Sequence, residues 1–207
     1  MRIELLLSRP GLPGRLRVLI AVAVAIWRGD WPRVAAAMTA GRDLGQPRTD
    51  LEETLLQTVL FCGFPRVVTA FEQLAAVWPS PTPPAGGALP TAAQAAAGRA
   101  LFARIYGTNT EAVDSLLRSF HADFHAFVLE AAYGRILARP HLPAGEREVL
   151  AVALLAAQDQ PRQFAGHARG ALQCGATREQ LREALVTVFG TDPGDAPTIE
   201  GWMQRVR

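Results

Sequence analysis

The sequence predicts an all-α fold, a helical bundle built from two tandem copies of one unit, and three observations lead there. Apolar residues recur at helical intervals in segment after segment, and no stretch alternates as a half-buried strand does. Glycine and proline stand where those segments stop and start. The chain also matches itself at a displacement of 130 residues.

That register pairs Arg9 with Arg139, Pro10 with Pro140, Leu12 with Leu142, Pro13 with Pro143 and Arg17 with Arg147. It continues without a gap through Ala21, Val22 and Ala23 with Ala151, Val152 and Ala153, then Gly45 with Gly175, Arg48 with Arg178, Leu51 with Leu181, Glu53 with Glu183 and Leu55 with Leu185. Identities held in one register over about fifty positions mark two copies of one unit.

The first copy is assigned to residues 1–78. Its apolar run, Val18 to Trp27, is about ten residues, whereas a bilayer span takes about twenty. Arg2, Arg9, Arg15 and Arg17 precede the run as a secretory leader's basic region would, but Pro10, Gly11, Pro13 and Gly14 interrupt it. The register decides the matter: Val18 to Trp27 corresponds to Glu148 to Ala157, an internal segment, and is expected to be a core helix.

Residues 79–98, with Pro79, Pro81, Pro83, Pro84, Gly86, Gly87 and Pro90, read as a semi-rigid connector. The second copy is assigned to 99–207. Helical periodicity runs from Thr91 to Tyr106 and from Glu111 to Ala138, with Phe120, Phe124 and Phe127 on one face and Asn109 or Thr110 as a cap. A helix is expected from about Ala144 to Gln158. Asp159, Gln160 and Pro161 turn the chain, and the next helix stops at Gly175. Thr177 followed by Gln180 has the spacing of a capping box for a third helix carrying Leu181, Leu185 and Val188. After Gly190 the chain reads as irregular until a short helix from Thr198 to Arg205.

With 207 residues, 49% of them apolar, the chain can bury a core without a disulfide or structural metal. The 21 basic residues, all arginine, face 19 acids and are scattered, so no stripe for nucleic acid is expected. No membrane association is expected either. The two cysteines read as reduced thiols of a cytoplasmic protein.

His167 is the ionisable residue best placed for chemistry. Gly166, Ala168, Gly170 and Ala171 leave room beside an imidazole that can exchange a proton near neutral pH. Glu148, on the preceding helix, can orient that ring. At 1.5 Å per residue, Glu148 lies about 16 Å and His167 about 10 Å from the turn between them, an offset that two side chains can cover. Gln160 and Gln163 stand at the turn above His167 as candidate ligand-binding amides. Arg139 and Arg147, with Arg162 and Arg169, flank the hairpin as candidate forks for a substrate carboxylate. His121 and His125 have the spacing of a helical metal pair but lack a third ligand, so no metal is expected. Cys62 and Cys174 read as small buried hydrophobes.

Ile105-Tyr106-Gly107, Tyr133-Gly134, Arg139-Pro140-His141-Leu142, Arg147-Glu148, His167, Gly175-Ala176-Thr177 and Glu183 together resemble the carboxymuconolactone decarboxylase family, whose superfamily includes the alkylhydroperoxidase D proteins. Gly63-Phe64-Pro65 resembles the glycine-any-proline stretch that follows the family's third helix. The resemblance implies an all-helical protein that assembles as trimers or hexamers, with tandem copies imitating a dimer within one chain. In the peroxidase branch a glutamate is followed by the two cysteines of CxxC and then a histidine. Here the same intervals fall on Glu148, Gln160, Gln163 and His167, so the acid and the histidine match while both cysteines are glutamine. The first copy has Val18 and Ala37 in place of Glu148 and His167 and is expected to be scaffold. The resemblance thus implies a cofactor-free lyase for a small carboxylated lactone or acid, with His167 and Glu148 catalytic. Its alternatives are a hydroperoxidase of peroxiredoxin type using Cys62 or Cys174, and a non-catalytic oligomeric scaffold or ligand sensor.

Overall fold

The computed structural model describes residues 3–80 and 86–206, so Pro81, Pro83 and Pro84 of the connector lie outside the described residues. Its helices are α1 (Ile3–Leu7), α2 (Gly14–Arg28), α3 (Trp31–Asp43), α4 (Arg48–Val77), α5 (Thr91–Tyr106), α6 (Thr110–Phe120), α7 (Ala122–Phe127), a π-helical segment Val128–Leu137, α8 (Ala144–Ala157), α9 (Pro161–Gln173), α10 (Arg178–Phe189) and α11 (Ala196–Met203). No strand occurs among the described residues.

The 130-residue register carries into the helix starts: α2, α3 and α4 begin at residues 14, 31 and 48, and α8, α9 and α10 at 144, 161 and 178. Local chemistry sets these starts. Pro13 and Pro143 are extended and deliver the chain into α2 and α8. Thr177 accepts from the Gln180 N–H while the Gln180 side chain accepts from the Thr177 N–H, completing the expected capping box of α10. The first interhelical turn is closed by Gly29 at φ 70°. Its counterpart is Asp159 at φ 53°, the one non-glycine residue with positive φ among the described residues.

Helices α2 and α8 pack against one another and are buried on nearly every face from Leu16 to Ile26 and from Arg147 to Ala156. One core draws on both copies, with Leu19, Ile26, Leu51 and Leu55 beside Leu150, Phe164, Leu181 and Leu185. A smaller cluster of Phe102, Ile105, Tyr133 and Leu137 joins α5 to the π-helical segment. There Gly98 meets Gly134 backbone to backbone, and a Cβ on Gly98 would stand 2.6 Å from the Gly134 nitrogen.

Two buried glutamates lock the copies together. Glu183 of α10 accepts from Arg9 Nη2 at 2.8 Å and Arg17 Nη2 at 2.7 Å. Glu53 of α4 accepts from Arg139 Nη2 at 2.6 Å and Arg147 Nη2 at 2.7 Å. Each carboxylate thus holds the arginine pair of the other copy. Arg17 also donates to Arg9 O, as Arg147 does to Arg139 O, both at 3.3 Å. Burial alone would push both glutamates up, but the arginines outweigh it and hold their carboxyl groups below the usual range.

Several expectations need correction. Gly63-Phe64-Pro65 does not follow the third helix but kinks it: Gly63 takes φ 74°, and α4 runs on to Val77. By length and composition α4 is also the one described helix able to cross a bilayer. Its first half nevertheless buries Asp50, Glu52 and Glu53, two of which pair with arginines of other helices. Helix α5 spans Thr91–Tyr106 as its periodicity predicts, and so takes up the last part of the 79–98 stretch assigned to the connector. The single helix expected from Glu111 to Ala138 breaks at His121, whose backbone is extended, with φ −169°. Phe120, Phe124 and Phe127, expected on one face of that helix, are divided by the break, Phe120 ending α6 and the other two on α7, and all three are exposed. Asn109 makes no cap, and the Thr110 hydroxyl donates to Gly107 O. The last helix starts at Ala196, two residues before Thr198.

Candidate functional site

Helices α8 and α9 form the hairpin that carries Glu148 and His167. His167 Nδ1 and Glu148 Oε2 are 2.9 Å apart, so the offset inferred from helical rise is bridged by a direct hydrogen bond. Glu148 is 1% exposed, and the His167 side chain keeps 17% of its surface open. Glycine makes the approach possible. A Cβ on Gly170 would stand 2.9 Å from Glu148 Oε2 and 2.6 Å from Ile105 Cγ2. The first copy has Ala40 at that position, facing no carboxylate because Val18 replaces Glu148. Val18 and Ala37 are both buried in the core.

Burial alone would lower the His167 pKa, but the charge of Glu148 and the hydrogen bond to it raise it above the ordinary histidine value. With Nδ1 committed to the carboxylate, Nε2 has no protein partner among the described residues and is the atom that can exchange a proton.

Two tyrosines lie beside the hairpin, and reasoning on sequence alone did not assign them a role. The Tyr133 hydroxyl, on the π-helical segment, donates to the Tyr106 hydroxyl at the end of α5 at 3.0 Å. Phe102 packs on both rings, with centroids at 4.6 and 4.9 Å. Tyr106 also lies against Gly166, the residue before His167. Burial pushes both phenols up, and the negative charge of Glu148 adds to this. The signal was present: these are the only tyrosines of the chain, and each precedes a glycine.

The remaining expected site residues lie elsewhere. Gln160 and Gln163 are exposed above the hairpin, with the Gln160 amide donating to Gln158 O. Gln163 is one helical turn before His167 and so shares its face. Arg139 and Arg147 are not brought to His167. Arg147 is 1% exposed and gives its donors to Glu53, Gln57 and Arg139 O. Arg139 likewise goes to Glu53. Their assignment as substrate forks therefore gives way to a role at the joint between copies.

His121 Nδ1 accepts from the Asp123 N–H, and His125 Nε2 contacts Asp114 at 2.6 Å, so the helical histidine pair is divided between two local partners. No group of three or more potential ligands converges among the described residues. Burial pushes the Cys62 thiol up to about 11 despite Arg66 nearby, and raises Cys174 as well, so neither is tuned as a thiolate nucleophile.

A model of the carboxymuconolactone decarboxylase family matches residues 3–76 and 122–189, taking in both copies and the Glu148–His167 hairpin. The chain belongs to that family. It is 31% identical over 137 residues to peroxisomal protein 2 of Schizosaccharomyces pombe, covering 65% of this chain and 64% of the relative. It is 30% identical over 70 residues to 4-carboxymuconolactone decarboxylase of Acinetobacter baylyi, covering 34% of this chain and 52% of that enzyme. The chain thus spans between half and two thirds of these relatives. Within the carboxymuconolactone decarboxylase family it is a two-copy member whose polar site is confined to the second copy.

Proposed function

We propose that this protein is a cofactor-free lyase that decarboxylates a small carboxylated lactone or acid. The observation that carries the reading is the His167–Glu148 hydrogen bond, which fixes the imidazole through Nδ1 and leaves Nε2 open. In the reaction, the bond between the substrate's carboxylate and its α or vinylogous carbon breaks, and carbon dioxide leaves. The electron pair stays on the substrate as a dienolate, and the proton on His167 Nε2 passes to carbon. The charge of Glu148, which raises the His167 pKa, favours the protonated ring that this step needs. Tyr133 donates to Tyr106, so the Tyr106 proton remains available to the oxygen on which charge develops. The raised pKa values of Cys62 and Cys174 favour this acid–base route over thiol attack on a peroxide. A screen of carboxylated lactones for carbon dioxide release tests the proposal. The native chain is expected to turn over one of them, His167→Gln to lose at least a hundredfold in rate, and Cys62→Ala with Cys174→Ala to keep it. Undiminished turnover by His167→Gln, or rapid reducible oxidation of either thiol by stoichiometric hydroperoxide, would overturn it.

A further inference from the structure

A recess whose lining does not include His167 lies between the kinked α4 and the α7–π-helical limb. It encloses roughly 700 Å³ and is walled by Leu56, Leu60 and Phe64 on one side and Phe124, Phe127 and Ile136 on the other. That volume is in the range of sites that take a small organic ligand. Its walls are held apart by backbone. Gly63 at φ 74° redirects α4, and Phe64 beyond it stands exposed across the groove from Phe124 and Phe127, which are exposed as well. Leu60, Val128 and Ala132 line the groove from its two sides and also pack against the Phe102, Ile105, Tyr133 and Leu137 cluster, so the groove adjoins that cluster.

Charge selects the occupant. Two arginines, Arg135 and Arg139, line the groove. Arg139 is neutralised by Glu53, whereas Arg135 is exposed and has no hydrogen-bond or ion-pair partner among the described residues. An apolar trough that ends at one uncompensated cation matches a molecule with a hydrocarbon body and a single anionic end.

We propose that the groove between α4 and the π-helical segment binds an amphipathic carboxylate of the fatty-acid class, its chain lying along Leu56, Leu60, Phe124 and Phe127 and its carboxylate on Arg135. The site does not depend on the reaction at His167, and its test is a binding measurement. The full chain is titrated with the fluorescent fatty acid cis-parinaric acid, and the probe is then displaced by decanoate or decanol. Saturable binding is expected, with decanoate displacing the probe about tenfold better than decanol. Arg135→Gln, at an exposed and unpaired position, should erase that preference while leaving decanol unchanged. Phe127→Ser should weaken both competitors, and His167→Gln should bind the probe as the native chain does. The proposal is overturned by absence of saturable binding, by an Arg135→Gln variant that still prefers the acid, or by loss of binding in His167→Gln. It is also overturned if the native chain binds no probe and sedimentation shows Phe127→Ser dissociating an oligomer, because the groove is then a contact between copies of the chain.

Discussion

Glu53 and Glu183 stand 130 residues apart at equivalent positions of the two copies, and each accepts the arginine pair of the copy to which it does not belong. The exchange explains why Arg9, Arg17, Arg139, Arg147 and the two glutamates are identical in the register. They are the joint. Removing either carboxylate leaves a buried guanidinium unanswered, since Arg17 is 0% and Arg147 1% exposed. Glu53→Ala and Glu183→Ala are each expected to cost about 3–5 kcal/mol, read from the midpoint and slope of urea denaturation. A loss under about 1 kcal/mol, the scale of a surface pair, would refute the joint.

The same carboxylates set the acid limit. Glu53 and Glu183, together with Asp50 beside Arg15 and His141, are held below their ordinary values in the folded protein. Their contribution is fully present above the unfolded values near pH 4 and is lost as pH falls through the lower folded ones. Urea midpoints measured downward from pH 6 should hold to about pH 5 and then fall steeply. Midpoints unchanged down to pH 2 would contradict this.

For His167 the sign reverses. Its folded pKa is raised, so the stability it contributes is complete below its unfolded value near 6.5 and is lost as pH climbs through the folded value. A titration of the imidazole by NMR should give a pKa above about 6.5 in the native chain. In Glu148→Gln, where burial acts without the carboxylate charge, it should drop below that figure. An unshifted titration in the variant would show that Glu148 does not govern the ring.

Asp159 holds a left-handed backbone that its counterpart Gly29 adopts without strain. The next position changes too: Asp30 accepts from the Arg33 N–H, whereas Gln160 makes no cap. The turn above His167 is therefore the less favourable of the pair. Asp159→Gly is expected to stabilise the protein by about 0.5–1 kcal/mol, and Gly29→Asp to destabilise it by about 1–2 kcal/mol. Thermal denaturation of the two variants measures both, and a destabilised Asp159→Gly would show that the aspartate does something there besides turn the chain.

What could be seen in the sequence was what local chemistry writes. Pro13, Pro143, Gly45, Gly175 and the Thr177–Gln180 pair each act within a few residues, so the helix starts and stops were readable from them. The offset between Glu148 and His167 was readable for a related reason: a short turn between two helices leaves only helical rise to count. Rise alone does not say whether two side chains touch, and their hydrogen bond came from the structure. The destination of Arg139 and Arg147 could not be read from the sequence, because Glu53 lies 86 and 94 residues away and no neighbour announces it. The break between Phe120 and Phe124 was not readable, because apolar residues at helical spacing on both sides of His121 conceal its extended backbone. The Tyr106–Tyr133 pair was missed because it joins two helices by hydroxyls 27 residues apart.

The exchanged carboxylates also bear on how the chain is made. Synthesis runs from the N-terminus, so Arg9 and Arg17 are complete 174 and 166 residues before Glu183 exists. Glu53 similarly waits for Arg139 and Arg147. The first copy therefore cannot settle as an independent folding unit while it leaves the ribosome, unlike domains that fold in order of emergence. Its final packing comes only once α10 has been released.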